Sequence, residues 1–194
     1  MKAMKLSTLA AAVALAVPFA AHAESNFTTG GGANITATAR VNFSVVIPKF
    51  VFLQVGTGPV FPAMSANATI DTITFNVPAA NVGDGTVINA TAGSGNLGNG
   101  AVTVRVVGNN GNMTLGATGP ATLTSGTDTL AWTQIATAVT GGATHPPVNG
   151  AAVTYTATNK VVNVNGTWTY TYLNAAPLAS GTYTGQVLYT ATTP

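Results

Sequence analysis

Few residues in this chain have the types and spacing that chemistry needs. It carries two histidines, His22 and His145, and no cysteine, and its carboxylate side chains are Glu24, Asp71, Asp84 and Asp128. Nucleophilic catalysis requires a nucleophile, a base and a group that orients the base. No serine sits in a GxSxG elbow, and His145 lies in Thr144-His145-Pro146-Pro147, a setting that reads as a turn. A glycosidase pair would have to come from Asp71, Asp84 and Asp128. Those three stand beside strand starts or turn formers: Asp84-Gly85 is a turn signal, and Asp128 lies between Thr127 and Thr129 after Gly126, where an aspartate can bond its own backbone. Zinc needs several His or Cys ligands and a calcium loop needs clustered acidic oxygens, and neither pattern occurs. Gly93-Ser94-Gly95-Asn96-Leu97-Gly98 matches GxGxxG, but no helix follows it and no βαβ unit surrounds it, so it reads as a glycine-rich loop. No catalytic, cofactor or metal residues are expected, and the chain does not read as an enzyme.

The N-terminus carries a different signal. Lys2 and Lys5 precede an Ala/Leu/Val-rich stretch from Leu6 to Phe19, and Ala21-His22-Ala23 follows as a small-x-small site. This is the pattern of a secretory leader, cleaved before Glu24, and its apolar stretch is too short and too alanine-rich for a membrane span. Export to the periplasm, the cell surface or the medium is expected, with no transmembrane helix in the mature chain. The formal net charge of +2 comes from those two lysines. What remains, Arg40, Lys49, Arg105 and Lys160 against Glu24, Asp71, Asp84 and Asp128, is neutral. Four scattered cations cannot track a phosphate backbone, so nucleic acid is excluded as a partner. Neutrality also removes the self-repulsion that keeps soluble proteins apart, which favours association.

The elements that would position any site are strands. With 46% hydrophobic residues and 5% charged ones the chain is expected to fold, and no segment sustains a helical period. Ile35, Ala37, Ala39, Val41, Phe43, Val45 and Ile47 alternate with mostly polar residues until Pro48. At about 3.3 Å per residue this run would span roughly 40 Å, about twice a typical strand. Either it bends between two sheets or part of it projects, and Gly30-Gly31-Gly32 just upstream is a hinge for both. Shorter runs follow at Phe50–Val55, Ile70–Val77 and Ala101–Val107, and Asn165-Gly166 reads as a two-residue turn joining Lys160–Val164 to Thr167–Tyr172. Trp168, Tyr170 and Tyr172 share a face suited to a sandwich interior. The last run, Thr182–Thr193, places Tyr183, Val187 and Tyr189 on one face. The expectation is an all-β fold: a single antiparallel immunoglobulin-like or jelly-roll β-sandwich over residues 33–194, preceded by a flexible extension at 24–32. No disulfide holds it, and a domain of this size does not need one.

The two terminal runs, ANITATARVNFSVVIP from Ala33 and GTYTGQVLYTATTP from Gly181, stand behind a leader of Gram-negative type. Together they resemble the ends of chaperone–usher fimbrial subunits and their spore-coat-protein-U-like relatives. The resemblance implies a sandwich that lacks one strand and is completed by donor-strand exchange with a neighbour's N-terminal extension. It implies that Glu24–Ala39 supplies the donor segment, with Phe27, Ile35, Ala37 and Ala39 entering pockets. Gly181–Thr193, including Tyr183, Val187 and Tyr189, would then border the acceptor groove. The implied partners are further copies in an oligomer or filament, together with a periplasmic chaperone and an usher.

The functional expectation is therefore a secreted structural or adhesive surface protein, a self-associating fimbria-like or matrix subunit using edge-strand or donor-strand pairing. Two alternatives stay open. One is a soluble carbohydrate-binding module with Trp132 or Trp168 as an exposed stacking platform; the other is a small outer-membrane barrel, for which about eight strands fit the length.

Overall fold

Period-2 alternation predicts strands, and they form at Val51–Val55 and Ala101–Gly108, whereas the expected runs through Ile35–Ile47 and Ile70–Val77 enter no strand ladder. The computed structural model describes residues 24–32 and 34–194; the expected leader lies outside the described residues. The chain falls into two units, up to Ile47 and from Pro48 onward. The second contains β1 (Val51–Val55), β2 (Ile88–Asn89), β3 (Ala101–Gly108), β4 (Met113–Thr118), β5 (Thr122–Ser125), β6 (Asp128–Ala131), β7 (Ile135–Gly141), β8 (Val153–Tyr155), β9 (Val162–Tyr172) and β10 (Leu188–Thr192). Two single 3-10 turns, Ala79–Asn81 and Trp132–Gln134, are the helical elements among the described residues, and no helix there is long and apolar enough to cross a membrane.

β9 is the spine of the larger sheet. Its Val162–Thr169 pairs antiparallel with β3, which pairs in turn with β1, while its other edge from Gly166 to Tyr172 takes β7. β2 continues the β3 side by pairing Ile88 and Asn89 with Tyr172 and Thr171. A second sheet has the order β10-β4-β8, and β5 and β6 form a separate hairpin. The result is an antiparallel, sandwich-like all-β fold. The single closed ring that a barrel requires does not occur among the described residues.

The core sits where the alternating faces meet. Val102, Val104 and Val106 of β3 point inward, together with Met113 and Leu115 of β4, and Val162 and Trp168 of β9, all buried. Intervening residues such as Thr103, Arg105, Asn163 and Asn165 face out. Ile88, Leu130 and Tyr172 form a second, smaller cluster.

Asn165-Gly166 is not a turn. Both residues lie in the middle of β9, opposite Arg105 and Val104 of β3. The glycine serves close approach instead: a Cβ on Gly166 would stand 2.6 Å from the Thr140 carbonyl oxygen and 3.0 Å from the Ala143 Cβ. The actual tight turn lies just upstream. Thr158 and Val161 exchange both backbone hydrogen bonds at 2.9 Å around Asn159 (φ 51) and Lys160 (φ 65). Two consecutive positive φ angles are what a type I′ turn needs. There Asn-Lys does the work that Asn-Gly signals more strongly.

A second left-handed asparagine ties a long loop to the sheet. Asn174 (φ 52) is 1% exposed just after β9. Its Oδ1 accepts from the Gly83 N–H at 2.9 Å and its Nδ2 donates to the Asn81 carbonyl at 2.6 Å. Removing buried partners and placing a Cβ residue without a stabilising side chain in this backbone region both cost energy. Asn174→Ala should therefore lose about 2–4 kcal/mol in urea unfolding, and a loss near zero would show that the loop holds without it.

The first unit is different in kind. Residues 34–47 enter no strand ladder, and every one is exposed. Arg40 makes a two-pronged contact with Glu24, Nε to Oε2 at 2.7 Å and Nη2 to Oε1 at 3.0 Å. The guanidinium beside it holds the Glu24 carboxyl below its usual range. Asn34 (φ 58) takes the left-handed conformation at the start of the run, so the 24–32 segment turns back toward Arg40.

Candidate functional site

The first candidate feature is an apolar stripe that its own unit leaves uncovered. Val41 is 74% exposed, Phe43 90%, Val45 83% and Ile47 75%. Such a stripe normally faces a core, and exposed contiguous apolar surface marks an interaction site. The large side chains are concentrated in 41–47, beyond the donor boundary at Ala39 that the family resemblance implies.

The second candidate feature is free strand edge with apolar residues beneath. β1 and β10 are the edge strands of their sheets and run as neighbours. Lys49 Nζ and Asn110 Nδ2 both donate to the Pro194 carbonyl, fastening the end of the chain beside the start of β1. Past the loop that follows β1, residues 71–77 are extended, with Asp71, Ile73, Phe75 and Val77 half-buried and the residues between them exposed. Asp71 anchors this stretch by accepting from the Thr57 hydroxyl at 2.8 Å.

The backbone of 71–77 is satisfied on one side. Thr72 O accepts from Gly95 N at 3.2 Å, Thr74 O from Thr91 N at 2.9 Å, and Thr74 N donates to Ser94 Oγ at 2.9 Å. Successive residues of an extended chain direct their backbone groups to opposite edges. The N–H and C=O groups of Ile73, Phe75 and Val77 therefore face the other edge, and they have no hydrogen-bond partner among the described residues. Leu53, Val55, Ile73, Tyr189 and Ala191 pack half-buried against the main cluster, and Phe75, Val77, Leu178 and Tyr183 against the smaller one. One side of the sandwich thus combines unpaired backbone with an incompletely covered core.

The expected site residues distribute over both parts. Phe27 (88% exposed), Ile35 (56%), Ala37 and Ala39 lie in the exposed first unit. Tyr189 is on β10, whereas Tyr183 and Val187 precede that strand, so the run from Thr182 is not one strand. Thr184 bonds both ways with Thr124 of β5 at 3.0 Å, which diverts the chain from the β10 line and sends Tyr183 to the smaller cluster. Val41, Phe43, Val45 and Ile47, with Ile73, Phe75 and Val77, are additions from the structure. Their signal in the sequence is the unbroken alternation.

Tyr189 leads to a half-buried aromatic group around the buried Trp168. Its hydroxyl is 3.0 Å from His145 Nε2 and 3.0 Å from the Tyr170 hydroxyl. The imidazole stands edge-on to Trp168, Tyr170 and Tyr189, with centroid separations of 4.6, 5.6 and 5.8 Å. His145 is therefore a packing residue and not merely a turn residue. Burial pushes its pKa down to about 4 and raises the Tyr170 hydroxyl far above its ordinary range. Trp168 is fully buried, its indole N–H donating to the Ala143 carbonyl at 2.5 Å, which rules it out as a stacking platform. Trp132 is half-buried, and its N–H donates to the Pro120 carbonyl at 2.7 Å.

The histidine gives the fold a pH dependence. Unfolding restores the ordinary value near 6.5, so between about pH 6.5 and 4 the unfolded chain binds more protons and stability falls as pH is lowered. Solvent screening of the partly exposed ring reduces the full linkage to about 1.5–2 kcal/mol. Urea midpoints measured at intervals from about pH 7.5 to 4 should decline through this window, and His145→Asn should flatten the decline. An unchanged decline in the variant would assign it to the carboxylates.

Comparison with protein-family models, with curated proteins and with solved structures finds no match to this chain.

Proposed function

We propose that this protein is an exported structural subunit that self-associates by strand addition, the apolar run of one copy pairing with the free edge of another, as in a fimbria-like or matrix assembly. The observation that carries this reading is the uncovered stripe through Val41, Phe43, Val45 and Ile47. Strand addition supplies main-chain hydrogen bonds for affinity and pockets for alternate side chains for register. A segment alternating at period 2 has the form such an edge accepts, and 71–77 with β10 offers the unpaired backbone and half-buried apolar floor it would cover. Near-neutral charge lets copies approach. The same mode is what the resemblance to chaperone–usher subunits implies, with a periplasmic chaperone as the guard of the edge before assembly.

The test is deletion of residues 24–47, with light scattering and electron microscopy of the purified chain beside the undeleted one. A folded monomer where the longer chain forms filaments or large oligomers is the expected result. Association of the truncated chain to the same size would overturn the reading.

A further inference from the structure

A second feature lies on the outer face of the large sheet and is formed within one copy. It is a cleft of about 740 Å³ floored by β3 and β9 and walled by residues 58–61 and by the loop at Asn96 and Leu97. That volume is in the range of small-molecule sites. The glycine-rich 93–98 segment finds its role here: Gly95 (φ 75) and Gly98 (φ 79) bend it tightly. Asn96 pins it to β3, donating to the Thr103 hydroxyl at 2.8 Å and accepting from the Thr103 N–H at 2.8 Å.

Arg105 stands in the floor as the one charged residue lining the cleft. Its guanidinium lies 3.5 Å from the centre of the Phe61 ring, and Nη2 donates to Asn163 Oδ1 at 2.9 Å. Nε is buried without a hydrogen-bond partner, and the cation has no carboxylate partner among the described residues. Phe61 and Asn163 therefore hold the side chain in place, and because Nε is closed off from the cleft the groups left for a ligand are the N–H groups of the Nη1/Nη2 end. A fixed guanidinium presents the planar fork that a carboxylate matches. Around it are amides and hydroxyls, including Gln54, Asn165 and Thr140, and an apolar rim of Phe61 and Leu97. Amides and hydroxyls recognise sugar hydroxyls, and an apolar rim takes the C–H face of a pyranose.

We propose that this cleft binds an acidic sugar, its carboxylate on Arg105 and its ring against the rim. The proposal does not depend on strand addition, since deletion of residues 24–47 removes none of these groups.

The test is calorimetric titration of the purified protein with digalacturonate, beside neutral galactobiose and inorganic phosphate. Binding with Kd below about 1 mM, at least about tenfold tighter than either comparator, is expected, as is a loss of about tenfold or more in Arg105→Gln. Leu97→Asp, on the exposed rim, leaves the sheet untouched and should weaken digalacturonate by repulsion, which keeps the test valid if Arg105→Gln unfolds. No heat with digalacturonate, equal affinity for galactobiose or phosphate, or unchanged binding in a folded variant would overturn the proposal.

Discussion

Trp168→Ala should come close to unfolding the protein. Trp168 lies at the centre of β9, opposite Val102 on one side and Val139 on the other, and it is completely buried. Truncating a buried tryptophan to alanine costs about 3–5 kcal/mol from lost transfer energy and the cavity left behind. The Ala143 carbonyl loses its indole donor as well, adding about 1 kcal/mol or more. His145 loses its nearest ring, at 4.6 Å. Against a typical total of about 5–15 kcal/mol, that is about a third or more of the stability of an ordinary domain. Thermal melting followed by circular dichroism should show a fall of at least about 10 °C. Trp168→Phe, which keeps a ring but not the N–H, should lose less than half as much. A fall of only a few degrees in the alanine variant would mean that the core closes over the gap.

The second large effect is expected from a single charge in the exposed run. Phe43→Asp removes an aromatic side chain whose burial on association is worth about 1.5–3 kcal/mol and substitutes a group that cannot be buried cheaply. At about 1.4 kcal/mol per tenfold, association should weaken by about a hundredfold or more, read by sedimentation over a concentration series. The variant's fold should be untouched, because Phe43 is 90% exposed in the chain itself. Thr38→Asp, in the alternate phase of the same run, should have a much smaller effect. Equal losses at both positions would argue against period-2 insertion, and no loss at Phe43 would remove the run from the interface.

The strands were legible where alternation and ends agreed. Ala101–Val107 becomes β3 and Phe50–Val55 becomes β1 almost residue for residue, because each has one inward face and a turn signal behind it. Asn165-Gly166 misled because the dipeptide reports only on what backbone angles are allowed. Whether a glycine supplies a turn or a gap depends on Ala143 and Thr140, which are distant in sequence. The pairing of Asn174 with residues 81–86 has no local signature at all. For the site, the run through Ile47 was visible, and so was the choice between bending and projecting. Which one occurs depends on whether the rest of the chain offers that run a ladder. His145 was hidden for the same reason: a loop histidine beside two prolines looks identical whether its ring turns out or in.

The exposed run and the free edge are different surfaces of one chain. In the proposed assembly, contact between them is heterologous, so it has a direction, and unless its rotation closes a ring it continues from copy to copy without an intrinsic end. Each growing assembly would carry two unlike termini, one with an unused edge and one with an unused run. Length would then be governed by supply and by whatever occupies the last edge, and growth at the two termini would proceed at different rates.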